Sequence, residues 1–223
     1  MNPEIAALYK EINDELQIGK IPNILKTTSI DPQIAKWFWD GVKIILLRES
    51  SIPRILKESI AVVVSNANSC KYCTQAHGML LQLMGFTDEK ILDLKNNFTS
   101  FSDKEKAALN YALKINDSAN MTTNDDHQIL KKHGYDDKQI VEITSVVAAF
   151  NWANIIADAL GTELESWLIV LMIIFWFDNQ FFDCFFILWK FRDTSQAKIR
   201  KDHEKKGDLN QTGIHVNLGI NFV

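Results

Sequence analysis

The sequence has few of the residues that mark several protein classes. It holds three cysteines among 223 residues, too few for a disulfide-rich secreted scaffold. Its net charge of −4 lacks the basic excess usual in nucleic-acid binders. Nine glycines and four prolines are too few for a collagen-like or low-complexity chain. We therefore expect a globular protein with no nucleic-acid partner, in which the cysteines serve chemistry rather than architecture.

The first residues also lack the pattern of a secretory signal. The segment Met1-Asn2-Pro3-Glu4 carries no basic region, and the acidic residues Glu11, Asp14 and Glu15 interrupt any apolar stretch behind it. The pattern predicts a cytoplasmic protein.

Residues 1–165 follow a helical pattern throughout. Apolar residues recur at helical spacing and no segment shows the two-residue alternation of a strand. Start signals include Asp31 before Pro32, and Ser102 with Glu105 as a capping box. Helices are predicted over about residues 3–18, 32–47, 53 to at least 64, 70–84, 87–94, 102–116, 124–133 and 136–160. The sequence therefore predicts one all-α domain over residues 1–165.

The remainder of the chain differs in composition. Ten aromatic residues lie between Trp167 and Phe191, and the unbroken apolar run from Trp167 to Phe177 is eleven residues long. That run is shorter than the roughly 20 residues of a membrane-spanning helix. Three interpretations stay open for residues 166–191: a membrane-associated segment, a helix buried against an oligomer partner, or a frameshifted or fused end. Residues 192–223 are polar without apolar periodicity, and we expect them to be disordered.

One segment concentrates the reactive side chains. Cys70 and Cys73 form a C-x-x-C pair, and His77 follows four residues after the second cysteine. On a helix that starts near Cys70, the three side chains would share one stripe, since each residue turns the helix by about 100°. Backbone N–H groups at a helix start favour a thiolate over a thiol. A thiolate beside a second thiol suits peroxide reduction or dithiol–disulfide exchange.

Four other interpretations of this segment compete with the thiol chemistry. Zinc could use Cys70, Cys73 and His77, but no second cysteine pair accompanies them. Covalent haem attachment is excluded because Thr74, not histidine, follows the second cysteine. A thioredoxin-like fold would place strands around the motif, whereas the flanks here are helical. Two buried cysteines that merely pack remain an alternative.

The motif and its surroundings resemble a known family. Glu58 stands twelve residues before Cys70, with Ser65-Asn66-Ala67-Asn68 between them. The motif is introduced by Arg54-x-x-x-Glu58-Ser59-Ile60-Ala61, and the domain closes with Phe150-Asn151-Trp152-x-Asn154-x-x-Ala157-Asp158-Ala159-Leu160-Gly161. Residues 1–165 in this respect resemble the alkylhydroperoxidase D and carboxymuconolactone decarboxylase superfamily, closest to its peroxidase-related branch. The resemblance implies an alkylhydroperoxidase D-like helical domain with the C-x-x-C motif at a helix N-terminus.

The resemblance also implies roles for single residues. Cys73 would be the peroxidatic cysteine and Cys70 its resolving partner, giving a Cys70–Cys73 redox-active disulfide. Glu58 and His77 would form a proton relay. Tyr72 departs from alkylhydroperoxidase D proper, which has histidine at this position, and a phenol with a pKa near 10 is the poorer proton shuttle at neutral pH.

The expected function is therefore a thiol-dependent peroxidase acting on hydrogen peroxide or a small organic hydroperoxide. It would need no metal or organic cofactor, and a dithiol reductant of thioredoxin-like or lipoyl type would restore the thiols. The resemblance further implies a homo-oligomer, and membrane contact would run through the aromatic tail. The alternatives are a non-enzymatic redox sensor and a carboxymuconolactone decarboxylase-type lyase, although intact Cys70 and Cys73 argue against the lyase.

Overall fold

The computed structural model describes residues 2–166, and all of the regular structure within them is helical. The all-α prediction is thus confirmed. The predictions made for residues 166–191 and 192–223 lie outside the described residues, apart from Ser166. The helices are α1 Pro3–Leu16, α2 Asn23–Thr28, α3 Pro32–Val42, α4 Arg54–Ala67, α5 Lys71–Leu83, α6 Asp88–Asn96, α7 Asp103–Ser118, α8 Asn124–Lys132 and α9 Asp137–Ala159.

Local capping chemistry explains most of the helix starts. The Asp31 carboxylate accepts the backbone N–H groups of Gln33 and Ile34 at the start of α3. Ser102 and Glu105 form the predicted capping box of α7. These side chains satisfy N–H groups that have no partner within the helix, a contribution of about 1 kcal/mol each. The helix boundaries are accordingly encoded close to where they occur.

Two features of the N-terminal half were not predicted. The short helix α2 was missed because its N-cap is Pro22, which offers no side-chain hydrogen bond, and only six residues follow. The predicted helix over residues 32–47 is α-helical to Val42 and continues as a π-helical turn over Lys43–Leu47.

The helix α4 lies at the centre of the domain. Ten consecutive residues, Leu56 to Ser65, are buried, and α4 packs against α5, α7 and α9. One apolar core joins α4 with α6, α7 and α9, whereas a second joins α1, α2 and α3 with the start of α5. A fully buried Leu, Ile or Val contributes about 1.5–3 kcal/mol. Leu81 of α5 belongs to the first core and Tyr72 and Cys73 of α5 belong to the second, so α5 packs against both cores.

The long helix α9 closes the domain. Among residues 2–166 it is the helix that is long and apolar enough to cross a membrane by length and composition, a test that buried core helices also pass. Its apolar side chains Ile140, Ile143, Val147 and Phe150 belong to the core around α4. Its C-terminal half, with Asn154 and Ala157 buried, lies toward α5.

Candidate active site

The two cysteines of the motif lie side by side at the start of α5. Cys70 is the N-cap residue and Cys73 lies in the first turn. Both are unbridged thiols, 0% and 2% exposed respectively, and their side chains hydrogen-bond to each other. Ser69, with φ at +62°, makes the sharp turn that brings the chain from α4 into α5. The backbone thus places the two sulfurs as a pair at the beginning of a helix.

The two thiols differ in acidity. Hydrogen bonding with the Cys73 side chain lowers the pKa of Cys70, and the Cys73 backbone adds to this effect. Donation to Cys70 raises the pKa of Cys73, and burial raises it further. Cys70, at the N-cap, is therefore the more acidic sulfur of the pair. The spacing of the motif predicts a stabilised thiolate at the helix start, but it does not indicate which of the two sulfurs has the lower pKa.

Glu58 and His77 form a second pair, which links α4 to α5. His77 Nδ1 lies 2.5 Å from Glu58 Oε2, and the Glu58 side chain is fully buried. Arg54, one turn earlier on α4, donates through Nε to Glu58 Oε1 at 2.6 Å. The His77 ring meets Phe150 of α9 edge-on, with ring centroids 4.6 Å apart. The buried carboxylate is therefore held between His77 and Arg54.

This environment keeps Glu58 ionised. Burial acts to raise the pKa of Glu58, but His77 and Arg54 outweigh it, and the pKa is lowered. An ionised Glu58 can accept a proton from His77 and give it back, which is what a proton relay requires.

Hairpin geometry explains why Glu58 and His77 meet. The helices α4 and α5 are joined by residues 68–70 and run antiparallel. Glu58 lies ten residues before Asn68, and His77 lies eight residues after Ser69. These separations correspond to roughly 15 and 12 Å along the two helices at 1.5 Å per residue. The two side chains therefore stand at similar heights above the turn.

A network of asparagine side chains adjoins the cysteine pair, and it was not assigned a role from the sequence. Asn154 of α9 is buried, donates to Ser65 Oγ at 2.9 Å and hydrogen-bonds to the Cys73 side chain. Asn68 donates to Asn154 Oδ1 at 3.0 Å, and the network continues through Asn116 and Asn151. The available signal was the heptad-like spacing of Phe150, Asn154 and Ala157, which puts a polar amide on the buried face of α9.

Tyr72 has a partner outside the proposed relay. Its hydroxyl donates to Glu165 Oε1 at 2.7 Å and accepts the backbone N–H of Ile24 at 3.3 Å. Burial raises the pKa of the Tyr72 phenol, and Glu165 raises it further. The phenol thus keeps its proton at neutral pH and connects the residue between the cysteines to α2 and to the end of the domain.

Zinc binding, the alternative considered from the sequence, would need Cys70, Cys73 and His77 to gather around one ion. Within residues 2–166 no group of three or more histidine, cysteine or acidic side chains is gathered as a metal site. His77, the third ligand considered from the sequence, is engaged with Glu58.

Comparison with known proteins indicates which family this chain resembles. A model of the carboxymuconolactone decarboxylase family matches residues 32–114, which include α4, α5 and every predicted site residue. The crystal structure of an uncharacterized peroxidase-related protein from Silicibacter sp. TM1040 aligns with a TM-score of 0.68 and 28% identity, over 74% of this chain and 86% of that one. The family match and the aligned structure together support the alkylhydroperoxidase D and carboxymuconolactone decarboxylase superfamily for this chain.

Two further proteins are similar to this chain. The uncharacterized protein YdfG of Bacillus subtilis (strain 168) is 29% identical over 134 residues, which cover 57% of this chain and 91% of YdfG. An uncharacterized peroxidase-related protein from Ralstonia eutropha JMP134, described as an alkylhydroperoxidase AhpD core, aligns with a TM-score of 0.66 at 24% identity. It covers 71% of this chain and 83% of its own, and at this identity it supports the fold alone. The alkylhydroperoxidase D-like fold is thereby confirmed, and the family narrows the activity to peroxidase-related or decarboxylase-type chemistry.

Proposed function

We propose that this chain is a thiol-dependent peroxidase that reduces hydrogen peroxide or a small organic hydroperoxide through a Cys70–Cys73 dithiol/disulfide cycle. The observation that carries the proposal is the hydrogen-bonded pair of free thiols at the start of α5. An ionised, buried Glu58 paired with His77 on the adjoining turns supports it. A decarboxylase has no need of two adjacent thiols.

The cycle begins with proton transfer between the sulfurs. The Cys73 thiol passes its proton to the Cys70 thiolate along their hydrogen bond. The Cys73 thiolate then attacks one oxygen of the peroxide O–O bond, forming the Cys73 sulfenic acid and releasing an alkoxide or hydroxide that takes up one proton. Peroxide is reduced by two electrons, and the sulfur is oxidised by two.

The second half-reaction forms and then opens the disulfide. The Cys70 sulfur, after losing its proton, attacks the sulfenic sulfur, the S–S bond forms, and hydroxide leaves with a proton as water. An external dithiol reduces the disulfide by thiol–disulfide exchange and becomes a disulfide itself. The net reaction converts hydroperoxide and dithiol into alcohol, water and an oxidised reductant. Glu58 and His77 supply and remove the protons that these steps need.

The burial of the sulfurs limits the size of the peroxide. Asp158, an exposed residue of α9, hydrogen-bonds to the Cys70 side chain, so the sulfur pair lies one side-chain layer below the surface. His77, with 17% of its side chain exposed, also reaches the solvent. We propose that a small hydroperoxide reaches Cys73 through movement of these two side chains. We propose that the dithiol reductant docks over this opening, and that a homo-oligomer in the cytoplasm is the working form.

The experiment measures peroxide consumption by the full chain with a dithiol reductant. We expect Cys73→Ser and Cys70→Ser each to lower turnover at least about 100-fold, because either sulfur is needed to close the cycle. Serine is a favoured N-cap, so Cys70→Ser preserves the start of α5. The third cysteine provides the matched control, since Cys184→Ser removes a thiol elsewhere in the chain and should leave turnover unchanged.

The outcomes separate the candidate functions. Undiminished turnover in Cys73→Ser would contradict the peroxidase mechanism. Reversible disulfide formation with negligible steady-state turnover would indicate a redox sensor. A decarboxylase-type reaction that survives loss of both thiols would assign the chain to the lyase side of its superfamily.

A further inference from the structure

We propose that Asn154 is a further catalytic residue, whose amide N–H stabilises the sulfur anion of Cys73. The inference rests on the proposed thiol chemistry and adds a group that neither the motif nor the family match assigns. Asn154 lies on α9, 81 residues after Cys73 in the sequence, and is 2% exposed. A buried amide must satisfy its donors and its acceptor, so its partners determine its orientation.

A backbone carbonyl sets the direction of the whole asparagine network. Asn151 Nδ2 donates to the Val147 carbonyl at 3.2 Å, and a carbonyl oxygen can only accept. The same Nδ2 donates to Asn116 Oδ1 at 2.8 Å, so the Asn116 amide presents its Nδ2 to Asn68 Oδ1, also at 2.8 Å. Asn68 in turn directs its Nδ2 toward the next amide. Every oxygen–nitrogen assignment along the network follows from that first contact.

The network ends at sulfur. Asn68 Nδ2 donates to Asn154 Oδ1 at 3.0 Å, which leaves the Asn154 Nδ2 group directed at Ser65 Oγ, 2.9 Å away, and at Cys73. Rotating the Asn154 amide by half a turn would set its Nδ2 against the Asn68 donor, whereas the Ser65 hydroxyl can pair with either end of the amide. The network therefore holds a donor, not an acceptor, against the Cys73 sulfur.

A fixed donor at this place has a specific chemical effect. An amide N–H cannot take a proton from a thiol, but it favours the anionic over the neutral form of the group it contacts. The hydrogen bond from Asn154 lowers the pKa of Cys73, against the effects of Cys70 and of burial. When the Cys73 proton moves to Cys70, Asn154 stabilises the thiolate that remains. A donor already in place needs no rearrangement during the reaction.

The test measures the pKa of Cys73 in a variant in which Cys70 has been replaced. In the full chain carrying Cys70→Ser and Cys184→Ser, thiolate absorbance reports the pKa of Cys73 without any turnover. We expect Asn154→Ala to raise that pKa by about one unit, which leaves about tenfold less thiolate near neutral pH. Asp158 and Tyr72, the other ionisable groups acting on Cys73 besides Cys70, are unchanged in every variant.

The pH profile distinguishes a catalytic from a structural role. In the otherwise unaltered chain, Asn154→Ala should lower the rate of peroxide consumption about tenfold near pH 7. The rate should recover as pH rises past the new pKa of the thiol. A structural role would lower the rate equally at every pH. Ser65→Ala is the matched control, because it removes another partner from the same network while the Asn154 N–H still contacts the sulfur.

Two results would overturn the inference. One is an unchanged Cys73 pKa in Asn154→Ala, and the other is an equal shift in Ser65→Ala. Should Asn154→Ala fail to fold, the near-isosteric Asn154→Asp variant retains an acceptor for Asn68 and should raise the pKa further. The thiol titration stands apart from turnover, so absence of peroxidase activity in the unmodified protein would refute the proposed function without deciding the role of Asn154.

Discussion

At the scale of single residues, Tyr72 has a structural role. It stands between the two cysteines in sequence, yet its hydroxyl is hydrogen-bonded to Glu165 and to the backbone of Ile24. Glu165 is itself buried and also accepts the backbone N–H of Asn23 at 2.7 Å. A buried carboxylate that loses a donor is costly, because its charge stays in the interior.

We expect Tyr72→Phe to lower the free energy of unfolding by about 2–3 kcal/mol, as befits a lost hydrogen bond to a charged group. Tyr135→Phe is the matched control, because it removes a hydroxyl that donates to the neutral carbonyl of Lys104 and should cost about 1 kcal/mol. Urea denaturation measures both. A relay function would instead show as an altered pH profile of peroxide consumption in Tyr72→Phe with stability unchanged.

At the scale of helices, the α4–α5 hairpin carries a buried charge whose state depends on pH. The pKa of Glu58 is lowered in the folded chain, because His77 and Arg54 outweigh the effect of burial. A lowered carboxyl pKa stabilises the fold above the ordinary glutamate value of about 4.3, and this stability is lost as pH falls through the lowered pKa.

We therefore expect the unmodified protein to lose more stability than Glu58→Gln as pH falls from about 6 to below 4, since glutamine does not titrate. Arg54→Met should shrink the difference, because it removes one of the two groups that lower the pKa of Glu58. Unfolding free energies across this pH range provide the measurement. Parallel pH curves for the unmodified protein and Glu58→Gln would show that folding does not shift the pKa of Glu58.

At the scale of the whole molecule, the helical domain contains everything that the proposed cycle uses. Its two apolar cores are built from residues up to Ala157, with Leu164 packed against the second. The match to YdfG spans 91% of that protein but 57% of this chain, so YdfG is the shorter protein. The residues named in these cores and in the site all lie within the described range 2–166.

A chain ending at Ser166 should accordingly keep the unfolding temperature to within a few degrees and keep peroxide turnover within about twofold. Ending the chain before Glu165 is the informative contrast, because it removes the acceptor for Tyr72 and for the backbone of Asn23. Differential scanning calorimetry and the peroxide assay measure both. Loss of solubility or activity in the longer form would show that residues 167–223 complete the fold.

The sequence predicted what depends on neighbours along the chain. Asp31, Ser102 and Asp136 begin their helices through contacts two or three residues away, so those boundaries could be inferred locally. The nearness of Cys70 and Cys73 followed in the same way from their spacing.

Contacts between distant residues could not be inferred from spacing. Tyr72 meets Glu165 across 93 positions, and Asn154 meets Ser65 across 89. Which sulfur is the more acidic depends on such contacts as well, because Asn154 and Asp158 of α9 act on the pair. The burial of Glu58 also depends on packing, and an isolated glutamate in an apolar stretch gives no indication of it.

The enclosure of Glu58 has a kinetic consequence. At physiological ionic strength, mobile ions largely screen the attraction between exposed charges more than about 8 Å apart, but they have little effect on a fully enclosed carboxylate. The encounter with a protein reductant, in contrast, takes place between outer surfaces that added salt does reach. A sodium chloride series would thus slow or hasten the reductive half of the cycle while leaving the oxidative half nearly constant, and so reveal which half sets the overall pace.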